Sequence, residues 1–210
     1  MKKLLPALLF LLPLVVSAQE DNSALNNPET ERCFQLTVDL ASYGYEHKDA
    51  LSLIMAARLS TNLNLLCQSE GGENGVMGSL DRNDLLSTAR EYAGNNDLLL
   101  DLIHVEMNQP MTRAVKAVLG YKTGEVDARG TVSYVYPLPV KDRVRISVYS
   151  NEGTRLSITV YDSFGNRVGA SPYSEKNPVC SFSSKEKQEY KVEIANEGRS
   201  ATKFYFVVDM

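Results

Sequence analysis

The residues with catalytic potential in this sequence begin with His47 and His104, because an imidazole can act as an acid and a base near neutral pH. A serine or cysteine triad needs a histidine beside a nucleophile and an orienting carboxylate, and the sequence has no Gly-x-Ser-x-Gly elbow. Neither histidine has a second histidine four residues on, which excludes a His-Glu-x-x-His zinc site. We therefore expect His47 at a solvated helix end and His104 at the edge of an apolar helix face, and we assign no catalytic residue.

The N-terminus predicts export. Lys2 and Lys3 precede an apolar run over residues 4–16, and the small residues Ser17 and Ala18 fit a signal peptidase, so cleavage is expected after Ala18. Gln19 stands where a lipoprotein would have cysteine, and no later stretch reaches the roughly 20 apolar residues of a membrane helix. We predict a signal peptide over residues 1–18 and a mature protein in the periplasm or outside the cell.

The charge pattern divides the mature chain. Residues 19–112 carry 15 acidic and 5 basic side chains, whereas residues 113–210 carry 11 acidic and 15 basic ones. Opposite surface charges of this kind usually reflect solvation, and the basic part lacks the aromatic and basic clusters of nucleic-acid-binding modules. The sequence thus predicts two regions and argues against a nucleic-acid partner.

Residues 19–112 show apolar side chains at helical spacing, which predicts about four helices. Asn27-Pro28-Glu29 begins the first helix, and Asp49 caps a second that we expect to reach Leu66. Asp81 and Asn96 open the third and fourth. The short first connection makes the first two helices an antiparallel hairpin.

Cys33 and Cys67 are candidates for a disulfide in this hairpin. Cys33 lies about 15 residues before the turn at Lys48 and Cys67 about 19 after it, so at about 1.5 Å per residue they are within roughly 6 Å along the axis. A disulfide and two buried thiols both remain open, since the facing directions of the side chains decide between them. Cys180 is expected to be a small buried residue.

From about residue 113 the apolar residues alternate with polar ones, the period of a β-strand. Asn, Gly and Ser clusters separate the runs as turns. We therefore predict an α+β protein, with an antiparallel β-sandwich of about seven to eight strands over residues 113–210. The runs are Val132-Tyr134-Tyr136, Val144-Ile146-Val148, Leu156-Ile158-Val160, Tyr190-Val192-Ile194 and Phe204-Phe206-Val208, with weaker ones at residues 115–121 and 179–182.

Three of these stretches carry a resemblance. Residues 157–168 (SITVYDSFGNRV), residues 189–196 (EYKVEIAN) and the closing Phe204-Tyr205-Phe206 strand resemble the bacterial pre-peptidase C-terminal type of β-sandwich. The resemblance implies a non-catalytic, jelly-roll-like module of the kind that accompanies secreted hydrolases. The helical residues 43–51 (YGYEHKDAL), joined to such a sandwich, also resemble a group of exported bacterial proteins of unknown function.

Relatives of this type often carry an acidic run before the central strand, which implies a calcium site. Here Glu152 and Asp162 are the acids near that strand, whereas calcium prefers six to eight oxygen ligands. A calcium site at these two residues and a plain turn both remain open. The Tyr-Asp-x-x-Gly stretch also resembles the C-terminal sorting sandwiches of the type IX secretion route, which usually have Gly where this chain has Glu189.

These patterns favour an exported protein that binds or scaffolds an unidentified protein or polysaccharide partner and does not catalyse a reaction. One alternative is a secreted hydrolase whose site lies between the two regions and uses His47 or His104. A second is a β-sandwich that acts as a type IX sorting domain. No cofactor is predicted apart from the calcium alternative.

Overall fold

A computed structural model describes residues 28–63, 65–67, 77–109, 119–150, 154–174 and 177–209. Within these ranges, helices α1 (Pro28–His47), α2 (Ala50–Ser60), α3 (Arg82–Ala93) and α4 (Asp97–Asn108) precede nearly all of the strands. The strands are β1 (Leu65–Cys67), β2 (Leu119–Val126), β3 (Thr131–Leu138), β4 (Lys141–Ser150), β5 (Leu156–Tyr161), β6 (Arg167–Ser174), β7 (Val179–Ser184), β8 (Gln188–Asn196) and β9 (Thr202–Asp209). The predicted α+β order is confirmed.

The helix starts follow from local capping. Asp49 accepts a hydrogen bond from the backbone of Ser52, and Asp81 accepts from the backbone of Asn83, so each satisfies amides that have no partner within the helix. Asn96 caps α4 in the same way.

The predicted end of the second helix is wrong. α2 ends at Ser60, and residues 65–67 form β1, which pairs in parallel with β2. The amides of Asn62 and Leu63 donate to carbonyls three residues back and close the last turn. Thr61 and Asn62 are weak helix formers, so the strand partner provided by β2 outweighs the apolar spacing that predicted a helix.

The sandwich is a jelly roll. Among the described residues, sheet A has the strand order β1-β2-β9-β4-β7 and sheet B the order β3-β8-β5-β6. The pairs β5–β6, β4–β7, β3–β8 and β2–β9 are nested in sequence, so the chain resembles a long hairpin rolled into two sheets, with the turn after Tyr161 at its tip. β6 was not predicted, because its sequence lacks regular alternation. In the structure its pairing with β5 is interrupted by register shifts.

Sheet A lies between the helices and sheet B. Phe204, Phe206 and Val208 of β9 point into the sandwich, whereas Tyr205 and Val207 pack among the buried residues of the helices. Every side chain of this strand from Phe204 to Val208 is therefore buried. The predicted boundary between the two regions, near residue 112, lies outside the described residues.

Polar contacts accompany this packing on the α1 side. Arg145 of β4 forms an ion pair with Glu31 of α1 at 2.8 Å, and the side-chain amide of Asn177 donates to Gln35. The helices and sheet A therefore share both an apolar core and a polar rim.

Candidate functional site

The two histidines lie apart from the interior. His47 is exposed at the end of α1, where its ring centroid is 4.3 Å from that of Tyr43. His104 is exposed on α4, and both its ring nitrogens are 3.3 Å from the side-chain nitrogen of Asn108. The described contacts of each ring are thus to a neighbour on its own helix.

The cysteine prediction stays a prediction. The Cys33 thiol donates to the carbonyl of Leu59 at 3.7 Å, and burial raises its pKa. The side chain of Cys67 lies outside the described residues, although its backbone belongs to β1. Cys180 is buried as expected, and that burial raises the pKa of its thiol to about 11.

Asp162 closes the turn at the tip of the jelly roll. Its carboxylate accepts from the backbone amides of Phe164 at 2.9 Å and Asn166 at 2.8 Å, and from the Asn166 side chain at 3.0 Å. The hydrogen bond from the Asn166 side chain is the largest cause that lowers the pKa of Asp162. The carboxylate therefore serves its own turn, as the plain-turn alternative expects.

The other calcium candidate, Glu152, lies outside the described residues, so the metal prediction remains untested. Among the residues that the structure describes, no group of three or more His, Cys, Asp or Glu side chains is placed to hold a metal ion.

The sequence did not predict a tyrosine clamp on residues 77–80, the segment that leads into α3. The Tyr205 hydroxyl donates to the carbonyl of Met77 at 2.8 Å, and the Tyr45 hydroxyl donates to the carbonyl of Ser79 at 2.8 Å. The amide of Leu80 donates to the hydroxyl of Tyr121 at 3.0 Å. Three tyrosines from α1, β2 and β9 thus fix this segment between the helices and sheet A.

A cleft of about 510 Å³ lies on the solvent face of sheet B, beside the Asp162 turn. Its floor is a row across three strands, in which Lys191 of β8 is in register with Tyr161 of β5 on one side and Val135 of β3 on the other. Side chains on one face of neighbouring strands contact each other, so the row forms a continuous surface. The cleft is lined by Val135, Tyr161, Asp162, Ser163, Gly165, Glu189 and Lys191.

Electrostatic contacts hold the Lys191 side chain in place on the floor of the cleft. The Lys191 ammonium is 2.7 Å from a carboxylate oxygen of Glu193 and 5.9 Å from the ring centroid of Tyr161. The hydrogen bond to Glu193 raises the pKa of Lys191, so the ammonium stays charged at neutral pH. Glu189 is exposed and belongs to no ion pair in the described part of the chain. The cleft can therefore offer a carboxylate, hydroxyl groups and a partly open aromatic ring to a ligand.

Alternation in β5 and β8 is the signal that could have indicated this surface. Because Val160 and Val192 are buried, the alternation places their neighbours Tyr161 and Lys191 on the solvent face of the sheet. The register between β3, β5 and β8, which brings the row together, is not visible in the sequence.

A comparison with known protein families finds a match to part of this sandwich. Residues 134–208 match the family described as the secretion system C-terminal sorting domain, a little over a third of the chain. The match runs from β3 into β9 and includes all the residues that line the cleft. It indicates an exported protein.

Individual solved structures resemble the chain at low identity. The pre-peptidase C-terminal domain of collagenase from Bacillus anthracis is 14% identical, with a TM-score of 0.35 over 41% of this chain and 86% of that domain. PliG, a periplasmic inhibitor of g-type lysozyme from Aeromonas hydrophila, is 10% identical, with a TM-score of 0.35 over 48% of this chain and 92% of that protein. The predicted resemblance to the pre-peptidase C-terminal type is confirmed as a likeness of fold.

A comparison with curated proteins gave no significant match. In the described ranges, no helix is both long enough and apolar enough to cross a membrane. The predicted signal peptide, residues 1–18, lies outside those ranges.

Proposed function

We propose that this chain is an exported, non-catalytic binding protein that receives its ligand in the cleft on the solvent face of sheet B. The observation that carries this proposal is the position of the cleft: the helices cover the outer face of sheet A, whereas the outer face of sheet B is open to solvent. Concave surfaces with a few convergent polar groups are the usual place for ligand binding. In this proposal residues 19–112 and 113–210 act as one folded unit after removal of residues 1–18.

The hydrolase alternative receives less support. Its site was expected between the two regions, where Phe34 of α1 packs on Tyr149 of β4 with ring centroids 4.8 Å apart. Leu53, Leu85 and Val207 extend this apolar layer. Among these described residues the packing is close and apolar, and His47 and His104 are exposed elsewhere.

The test is co-sedimentation of the purified mature protein with the insoluble envelope fraction of its own host cells. We expect the wild type to sediment with the fraction and Tyr161→Ala to stay in the supernatant. Tyr173→Ala, an exposed tyrosine at the other end of sheet B, is the matched control and should behave as wild type. The fraction should release no soluble sugar or peptide on incubation, which separates binding from hydrolysis. Equal sedimentation of wild type and Tyr161→Ala would contradict the proposal.

A second candidate function is type IX sorting, favoured by the family match over residues 134–208. This function is tested by fusing the chain to a reporter protein. A reporter that carries the full mature chain at its C-terminus should reach the cell surface in a type IX host, whereas a reporter that carries residues 28–109 should remain in the periplasm. Retention of both reporters would contradict a sorting role.

A further inference from the structure

We infer that the cleft on sheet B binds a neutral saccharide, a ligand class that rests on the binding function proposed above. The inference depends on the shape of the cleft, on the mixture of donors and acceptors in its wall, and on its charge.

The shape suits a flat ligand with an apolar face. Val135 is 61% exposed and stands on the opposite side of Lys191 from the half-buried ring of Tyr161. The C–H face of a sugar ring packs on surfaces of this kind, since an aromatic or branched side chain offers contact area at little entropic cost. A volume of about 510 Å³ is within the range of small-molecule sites.

The polar groups suit a ligand with many hydroxyls. A sugar hydroxyl both donates and accepts, so a site that binds it needs acceptors and donors together. Glu189 supplies a carboxylate with no ion pair among the described residues, and the Lys191 ammonium has two N–H groups beyond its bond to Glu193. The Ser163 hydroxyl donates to Gln188 at 2.5 Å, which leaves its oxygen free to accept.

The charge argues against the other common ligand classes. Asp162, Glu189 and Glu193 outnumber Lys191 and Arg167, the β6 residue in register with Tyr161, so the net charge around the cleft disfavours a phosphate or uronate. A hard cation needs about six to eight oxygens, and the Asp162 carboxylate already accepts three hydrogen bonds from its turn. A neutral polyhydroxylated ring fits both constraints.

The wall of the cleft is ordered before any ligand binds. The amide of Asp162 donates to the carbonyl of Asn166 at 2.9 Å, the amide of Gly165 donates to the carbonyl of Asp162 at 3.0 Å, and Gly165 has a φ of +83°. A rigid turn beside an ion-paired floor reduces the entropy lost on binding.

The experiment is an amide-shift titration of the full mature protein with cellotetraose, maltotetraose and mannotetraose, each to about 10 mM, with trigalacturonate as the charged arm. We expect at least one neutral saccharide to shift the amides of residues 161–165 and 189–191. Trigalacturonate should bind more weakly. Tyr161→Ala should weaken binding about tenfold or more, and Tyr173→Ala should leave it unchanged.

The inference is overturned if none of the three neutral saccharides shifts these amides, if trigalacturonate binds more tightly, or if Tyr161→Ala binds as well as wild type. Its failure is distinguishable from failure of the proposed function. Envelope sedimentation that depends on Tyr161 but is not competed by the saccharides would retain the binding function and reject the saccharide. Sedimentation that does not depend on Tyr161 would reject both.

Discussion

Single residues determine the turns that shape this molecule, and the Asp162 turn is the clearest case. One carboxylate accepts two backbone amides and one side-chain amide within five residues of sequence. The turn joins β5 to β6, so it also sets the alignment of the innermost pair of the jelly roll. The side-chain hydrogen bonds of this exposed turn therefore help to set the pairing of two strands.

Asp162→Ala should lower the urea midpoint of unfolding, because three hydrogen bonds lose their acceptor. Asp162→Asn keeps one oxygen for the backbone amides and should lower the midpoint less. The same bonds depress the pKa of Asp162, so their contribution to stability is present above the ordinary carboxyl pKa and is lost as pH falls through the folded pKa. The wild type should therefore lose its advantage over Asp162→Asn in acid. An unchanged difference between the two proteins from neutral to acidic pH would contradict this account.

Gly78 and Gly165 provide a matched pair for the cost of a side chain at positive φ. Gly78 has a φ of +82° and Gly165 one of +83°, but a Cβ on Gly78 would overlap the ring of Tyr45, whereas one on Gly165 would meet nothing within 4 Å. We expect Gly165→Ala to cost about 1 kcal/mol of unfolding free energy from strain alone. Gly78→Ala should cost about 3 kcal/mol or more, because overlap is added to the same strain. Equal losses in chemical denaturation would show that Tyr45 moves freely.

At the scale of elements, the tyrosine clamp connects the segment before α3 to the sheet. Tyr205 reaches it from the central strand of sheet A and Tyr45 from α1. Burial raises the pKa of Tyr45 to about 12 and that of Tyr205 well above its ordinary value. The clamp thus depends on neutral phenols.

Tyr205→Phe should reduce the unfolding free energy by about 1 to 3 kcal/mol, because the buried carbonyl of Met77 loses its donor. Amide hydrogen exchange should increase at residues 77–80 and much less in sheet B. Tyr173→Phe, on an exposed strand residue, is the control and should change neither quantity. Faster exchange spread evenly over the protein would mean that the hydroxyl has no local role.

Buried phenols also predict an alkaline limit to stability. Tyr45 and Tyr149 have folded pKa values of about 12, whereas an unfolded tyrosine ionises near 10. Because the folded pKa is raised, stability is full below about pH 10 and falls as the pH rises toward 12. Unfolding monitored by tyrosinate absorbance should show these phenols ionising together with the loss of structure. Ionisation of all tyrosines near pH 10 in a still-folded protein would contradict the burial.

At the scale of the whole molecule, the helices and the sandwich share a buried apolar layer. Sheet A has one face in the sandwich interior and the other against the helices, and β1 from the helical region extends it. The Arg145–Glu31 ion pair and the aromatic contact of Phe34 with Tyr149 span the same boundary. A ligand on the outer face of sheet B would therefore bind to a sheet whose inner face packs on sheet A, which in turn packs on the helices.

Residues 113–210 produced alone should self-associate and bind a hydrophobic dye, since the helix-facing side of sheet A would be exposed. The exposed surface would include Leu119, Tyr121, Tyr149, Tyr205 and Val207. Size-exclusion chromatography beside the mature chain of residues 19–210 provides the measurement. A monomeric sandwich that melts at the temperature of the mature chain would instead describe an independent module, as a detachable sorting tail requires.

The sequence by itself determined the local features of this protein. Helix caps at Asp49 and Asp81, the inward alternation of β4, β5, β8 and β9, and the Asp162 turn could all be predicted, because each depends on residues within a few positions of one another. The α+β class followed from the change of period near residue 113.

Only the tertiary structure decided which surface is open. The cleft joins Val135, Tyr161 and Lys191 from three strands, and their meeting depends on pairing between residues more than 25 positions apart. The prediction that the second helix reaches Leu66 was wrong for the same reason, since a distant strand, β2, offered the backbone of residues 65–67 a partner. Side-chain periodicity reports which residues are buried, but register and layer order depend on long-range contacts, and these contacts placed the helices on sheet A and left sheet B facing solvent.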